Sequence, residues 1–243
     1  MKALILAGGY AKRMWPLTEH TAKAMLEVAG RPVIHHILEK VQGLDEIEHI
    51  YISTNQKFEQ QFTDWMRQLQ PKKFLKLVVE QTNHEGEKLG SIGALEYFID
   101  SEKITETLLI VSGDNMFDFN LMNILQFYKK RRAPVIGLYD VKDIEIAKRM
   151  GVVQMDENLR ITSFEEKPEQ PKSTLISTGI YIIPSTQLDL IFEYLGQKNN
   201  PDHFGHFIAW LSQKQAVYGH VFGGRWFDIG SLESYEAAKA AFR

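Results

Sequence analysis

Three cations, Lys12, Arg13 and Lys23, follow closely on the glycine pair Gly8-Gly9. Glycine lets backbone N–H groups approach an anion with no Cβ in the way. The stretch before them, Met1–Leu6, is almost wholly apolar, as a strand covered on both faces should be. Apolar strand, glycine turn and clustered cations suit a polyphosphate held at the carboxyl end of a parallel strand. On these residues alone, a tight turn with solvated lysines is the commoner arrangement. The stretch lacks the Gly-Lys-Ser/Thr of a P-loop and the third glycine of the dinucleotide fingerprint. Further along, Asp114 ends an apolar run in Val111-Ser112-Gly113-Asp114-Asn115 and offers a hard oxygen ligand suited to Mg²⁺. Taken alone, Gly-Asp-Asn is an ordinary turn. Phe164-Glu165-Glu166-Lys167-Pro168 puts two acids and a cation at a strand end, which alone reads as a solvated terminus. Trp226-Phe227-Asp228 precedes a final helix for which Ser231 is the expected cap.

The elements that must position these side chains alternate. Helical spacing covers 31–42, 56–69, 91–99 and 120–131, and strand patterns cover 47–53, 75–79, 108–111 and 134–139. This order predicts an α/β fold, Rossmann-like, on a mostly parallel mixed sheet with helices on both faces. After Asp143 the rhythm becomes α+β. A hairpin is expected over 152–164, turning at Asp156-Glu157-Asn158, and a strand over 175–183. Helices follow at about 186–195 and 204–213, a strand at 216–222, and a closing helix over 231–242. No linker composition separates the halves. One domain, 1–243, is expected, with a nucleotide-side half (1–142) and a smaller α+β half (143–243).

The bulk composition narrows the function. A net charge of −3 leaves no cationic excess for a nucleic-acid groove. The absence of cysteine excludes disulfides, thiolate catalysis and zinc–thiolate sites, and fits a reducing cytoplasm. No apolar run approaches the length of a membrane span. The histidines form no convincing site, and nothing resembles an activated serine.

Taken in order, these motifs resemble those of the sugar-1-phosphate nucleotidylyltransferases. That family opens with A-G-G-x-G-T-R-L-x-P-x-T and then K-P-x-L-x-V-x-G-x-P; here the stretches read AGGYAKRMWPLT and KAMLEVAGRP. Ala11 replaces a glycine, Lys12 a threonine and Ala24 a proline. The resemblance continues through Glu80-Gln81, LGSIGAL (89–95), Gly113-Asp114-Asn115, Gly151-Val152-Val153, EEKP (165–168), Thr178-Gly179-Ile180-Tyr181 and Trp226–Ser231. It implies a nucleotide site made by Leu6, Ala7, Gly8, Gly9, Lys12, Arg13, Gln81 and Gly90, with Gln81 and the Gly90 backbone reading the base. It implies a sugar-phosphate site made by Lys23, Gly151, Glu166, Lys167, Thr178 and Gly179, where Lys167 holds the phosphate and Glu166 accepts from sugar hydroxyls. Asp114 and Asp228 would hold Mg²⁺, and Arg13, Lys23, Asp114, Lys167 and Asp228 would carry the reaction. The implied substrates are an NTP, with dTTP or UTP favoured, and a sugar-1-phosphate. A mannose-1-phosphate guanylyltransferase, a phosphocholine cytidylyltransferase-like enzyme and a non-catalytic nucleotide-sugar-binding subunit are the alternatives. No nucleic-acid or membrane partner is expected. The oligomeric state is open, a homo-oligomer of two copies being the commonest closed form.

Overall fold

The computed structural model describes residues 1–242; Arg243 lies outside the described residues. In chain order the elements begin with β1 (Lys2–Leu6), β2 (Glu27–Val28), β3 (Arg31–Pro32), α1 (Val33–Gln42), β4 (His49–Asn55), α2 (Glu59–Arg67), β5 (Phe74–Glu80) and α3 (Gly90–Ser101). Next come β6 (Leu108–Ser112), β7 (Asn115–Phe117), α4 (Met122–Arg131), β8 (Val135–Asp140), α5 (Ile144–Ala147), β9 (Gly151–Met155), β10 (Ile161–Glu166) and β11 (Leu175–Ile183). The chain closes with α6 (Asp189–Gly196), α7 (Phe204–Lys214), β12 (Tyr218–Phe222), β13 (Trp226–Asp228) and α8 (Leu232–Ala241). Short 3₁₀ turns at Lys12–Met14 and Lys23–Met25 carry the three candidate cations Lys12, Arg13 and Lys23. The α/β class read from the sequence, with its mixed sheet and α+β portion, is the fold observed.

The chain forms two compact units whose segments alternate along the sequence. The first comprises 1–89, 111–120 and 225–243; the second comprises 90–110 and 121–224. In the first unit, β1, β4 and β5 run parallel in continuous register, Leu4 against Tyr51 and Ser53 against Val78. Ala3, Leu4 and Ile5 are fully buried, which explains their unbroken apolar run. Helix α1 buries Val33, Ile34, Ile37, Leu38 and Val41, the face its spacing predicts. The expected helix over 56–69 is divided: a 3₁₀ turn (Gln56–Phe58) leads into α2. Asn55 causes the break, because its side chain accepts from the Phe58 backbone N–H as a cap.

In the second unit β8 pairs parallel with β12 and antiparallel with β11. Strands β9 and β10 form the expected antiparallel hairpin, in which Glu166 faces Gly151. Two small ladders were absent from the sequence reading. One is β2 with β3; the other joins β7 to β13, placing Asp228 opposite Asn115 within the first unit.

Candidate active site

Strand β1 delivers the chain into the glycine turn, and the neighbouring strand β4 grips that turn. The Ala7 N–H donates to Ser53 O at 2.8 Å, and Asn55 Nδ2 donates to Gly8 O at 2.8 Å. Gly9 is exposed, with nothing near the place a Cβ would take. Ala11, where the related motif has glycine, keeps a left-handed backbone at φ 47°. Such a conformation costs an L-residue roughly 1–2 kcal/mol, and Thr18 Oγ1 helps hold it by donating to Ala11 O at 2.7 Å. Lys12 and Arg13 are both exposed on the following 3₁₀ turn, with Lys12 paired to Glu85 at 2.9 Å.

Lys23, Asp114, Asp228 and Arg13 belong together electrostatically. Lys23 Nζ lies 2.5 Å from Asp114 Oδ2. Burial works against its charge, but the fields of Asp114 and Asp228 outweigh burial and the opposing Arg13, and hold the ammonium above the ordinary lysine range. The backbone explains the convergence. Gly113 N–H donates to Leu6 O at 2.8 Å, and a Cβ on Gly113 would come within 2.8 Å of that same oxygen, so only glycine fits this crossing. Ile229 N–H donates to Asp114 O at 2.9 Å, which ties the residue after Asp228 to Asp114 itself. Ser231 then caps α8 by accepting from Ser234 N–H in a capping box. Among the described residues no group of three or more His, Cys, Asp and Glu side chains is arranged to hold a metal by itself. Two hard carboxylates, one already against an ammonium, are nonetheless a donor set suited to Mg²⁺ completed by other oxygens.

Gln81 is exposed, and its amide reaches back to Val79 O at 3.4 Å. The residue before it, Glu80, is buried and accepts from Ser53 Oγ at 2.8 Å. Burial pushes its carboxyl above the ordinary range, against the effect of that hydrogen bond.

The remaining candidates lie in the second unit. Gly90 opens α3 at φ 78°, and a Cβ there would meet Pro201 O at 2.5 Å. Ser91 and Ile92 N–H groups donate to Asp202 O and Pro201 O, so those α3 donors are already occupied. Glu166 ends β10 between two glycines: a Cβ on Gly151 would stand 3.1 Å, and one on Gly205 2.8 Å, from its Oε2. Lys167 Nζ is 3.4 Å from Glu166 Oε1, and its backbone is left-handed at φ 50°. Thr178 is fully buried and its hydroxyl donates to Gly137 O at 2.9 Å, so its side chain is committed to the sheet. Gly179 follows at φ 73°. The sequence reading set His203 aside together with His206, three positions on, because no carboxylate motif accompanies them. His203 Nδ1 lies 3.9 Å from Glu166 Oε1 and its ring stacks on His206. Burial lowers its basicity, helped by Lys167 and His206 and opposed by Glu166 and Asp202. No local pattern marks His203, because its relation to Glu166 spans 37 positions of sequence.

Known proteins share this architecture. The profile of the nucleotidyl transferase family matches residues 2–243. A bifunctional GlmU protein of Methanocaldococcus jannaschii is 32% identical over 230 residues, covering 95% of this chain and 51% of that protein. A glucose-1-phosphate adenylyltransferase of Clostridium acetobutylicum is 30% identical over 254 residues, covering 96% of this chain and 64% of that protein. The chain thus spans about half to two thirds of these relatives' length. Among solved structures, a Bacillus anthracis protein provisionally named a glucose-1-phosphate thymidylyltransferase, in complex with sucrose, superposes with a TM-score of 0.87 at 26% identity over 100% of this chain and 95% of that one. A UDP-glucose pyrophosphorylase bound to UDP-glucose shares the fold, with a TM-score of 0.83 at 20% identity over 99% and 97% of the two chains. With the family profile spanning almost its whole length, the chain belongs to the nucleotidyl transferase family.

Proposed function

We propose that the protein is an enzyme transferring a nucleotidyl group from an NTP, with dTTP or UTP favoured, to a sugar-1-phosphate. The observation that carries this reading is the grouping of Lys23 with Asp114, Asp228 and Arg13, drawn from three separate segments of the first unit. An oxygen of the sugar phosphate attacks the α-phosphorus, the α–β phosphoanhydride bond breaks, and pyrophosphate leaves with the electron pair. No protein nucleophile is needed. Both reactants are anions, so catalysis consists of positioning and charge neutralisation.

In this reading the amides of Gly8 and Gly9, with Leu6, Ala7, Lys12 and Arg13, bind the triphosphate, and Arg13 neutralises the departing pyrophosphate. Gln81 and Gly90 contact the base. Lys167 and Lys23 bind the phosphate of the sugar, Glu166 accepts from its hydroxyls, and the backbones of Gly151, Thr178 and Gly179 line its pocket. Asp114 and Asp228 would hold Mg²⁺, which supplies Lewis-acid charge neutralisation at the α-phosphate when bound. The thymidylyltransferase name of the 26%-identical structure supports the pyrimidine preference. No helix among the described residues is long and apolar enough to cross a membrane, and a cytoplasmic setting suits these soluble substrates. The test is a matrix of NTPs against sugar-1-phosphates with Mg²⁺, read by pyrophosphate release. Release with one pair only would identify both substrates, whereas no release with any pair would favour a binding subunit.

A further inference from the structure

Glu80 is a puzzle on charge alone. It ends β5 with 4% of its surface exposed, beside a turn read as an anion site. A buried carboxylate is costly unless paired and hydrogen-bonded. Its one hydrogen bond among the described residues comes from Ser53, and no described cation pairs with it. An apolar side chain would fill that space more cheaply, so the carboxyl calls for another reason.

Gly8 supplies it. A Cβ on Gly8 would lie 2.7 Å from Glu80 Oε1, 3.2 Å from its carboxyl carbon and 3.3 Å from Oε2. The carboxyl therefore lies against the bare Cα of the first loop glycine. Gly8 has no left-handed φ, so what glycine supplies there is space beside the carboxyl and not conformation. On its carbonyl side Gly8 is held by fully buried Asn55, the register partner of Glu80 across β4 and β5. Two residues on from each, Tyr10 Oη donates to Thr82 Oγ1 at 3.1 Å. The end of β5 thus touches the loop at Gly8 and again at Tyr10, and exposed Gly9 is the residue left between these grips.

The geometry points to Glu80 as a positioning residue that fixes Gly8, and through it the amides that receive the nucleotide. The inference rests on the nucleotide reading of this loop. Ser53 orients the carboxyl, the carboxyl sets where Gly8 can lie, and Asn55 closes the grip. Preorganised amides bind an anion without first being ordered, so loosening this grip weakens nucleotide binding and leaves the sugar side untouched.

Four variants test this: Glu80→Gln, Glu80→Ala, Gly8→Ala and the double Gly8→Ala/Glu80→Ala. Glu80→Ala should weaken NTP binding about tenfold or more, roughly 1.4 kcal/mol, with the KM for sugar-1-phosphate unchanged. Glu80→Gln keeps shape and the Ser53 acceptor, and should restore binding to within about threefold of wild type. Gly8→Ala should be more damaged than the double variant, because removing the carboxyl makes room for the methyl group. In the nucleotide-free protein, amide exchange at Gly8–Tyr10 should accelerate in Glu80→Ala while β1 stays protected. Unchanged exchange there, equal effects on both substrates, or a double variant no better than Gly8→Ala would each overturn the role of Glu80. Wild-type protein that binds no NTP would instead overturn the nucleotide reading, while exchange and the thermal stability of the Gly8 variants still decide whether Glu80 fixes the loop.

Discussion

Lys23 and Lys167 each lie beside a carboxylate, under very different conditions. Lys23 is 2.5 Å from Asp114, with 18% of its side chain exposed and Asp228 adding to the field. Lys167 is 3.4 Å from Glu166, with 43% of its side chain exposed. Its position is fixed by backbone instead, through a left-handed φ of 50° and an N–H donating to Met150 O at 2.9 Å. The first lysine is locked into a close, largely buried ion pair; the second makes a longer, more exposed pair from a rigid backbone mount. Breaking a buried pair strands a charge, whereas an exposed pair contributes about 0–1 kcal/mol. On the proposed reading, the first cluster therefore couples chemistry to stability, and the second separates them.

The largest expected effect falls on the first cluster. Asp114→Asn or Asp228→Asn should lower turnover by orders of magnitude, with partial recovery at higher Mg²⁺ or with Mn²⁺. Steady-state rates of the two single variants and the double variant would show whether they act as a unit: the double should be hardly worse than the worse single one. Multiplying losses would separate the two aspartates and dissolve the contrast with the second unit.

Next in size is Lys167→Ala. On the proposed reading it removes a charge-assisted phosphate contact of about 2–4 kcal/mol, so the KM for sugar-1-phosphate should rise tens- to hundreds-fold with the KM for NTP little changed. Thermal unfolding should barely move. A large loss of stability would mean that Lys167, like Lys23, is bound into the fold.

Lys23→Met should cost stability as well as activity. About 1–3 kcal/mol is expected in urea unfolding, less than for a fully buried pair because 30% of the Asp114 side chain is exposed. The pH dependence has a definite sign. The folded-state pKa of Lys23 is raised, so its contribution is fully present below the unfolded value of about 10.4 and is lost as pH rises through the higher folded value. Wild type and Lys23→Met should therefore converge in stability only at strongly alkaline pH. Convergence near neutrality would contradict the locked pair.

The smallest effect is expected at Lys12, whose ammonium is shared with Glu85 and half exposed. Lys12→Thr should raise the KM for NTP a few-fold, under about 1.4 kcal/mol, and leave the sugar side unchanged. An unchanged KM would make Lys12 a solvated surface cation.

Most elements were legible because periodicity reports burial. Strand 175–183 lies where its pattern places it, and α1 buries its expected stripe. Strands β7 and β13 were not legible, since three residues carry no period. Their ladder sets Asp228 opposite Asn115, next to Asp114 in sequence, a register that no pattern in the sequence specifies. Glu80 received no role from the sequence, where the resemblance carried only its neighbour Gln81; its contact with Gly8 is visible only in the structure. Composition changes nowhere at the boundaries of the two units, so only contacts reveal them.

That interleaving has a consequence for synthesis. The first unit needs residues 1–89, 111–120 and 225–243. A chain emerging from the ribosome presents Arg13 and Lys23 first, Asp114 later, and Asp228 only 114 positions after that. At about 5–20 residues per second, Lys23 and Asp114 wait on the order of ten seconds for the second aspartate. Throughout that interval the nascent protein can hold neither β13 nor α8 in place, so a stalled or prematurely terminated chain lacks half of the carboxylate pair. Both aspartates are therefore present in the first unit only once synthesis has passed through its last segment.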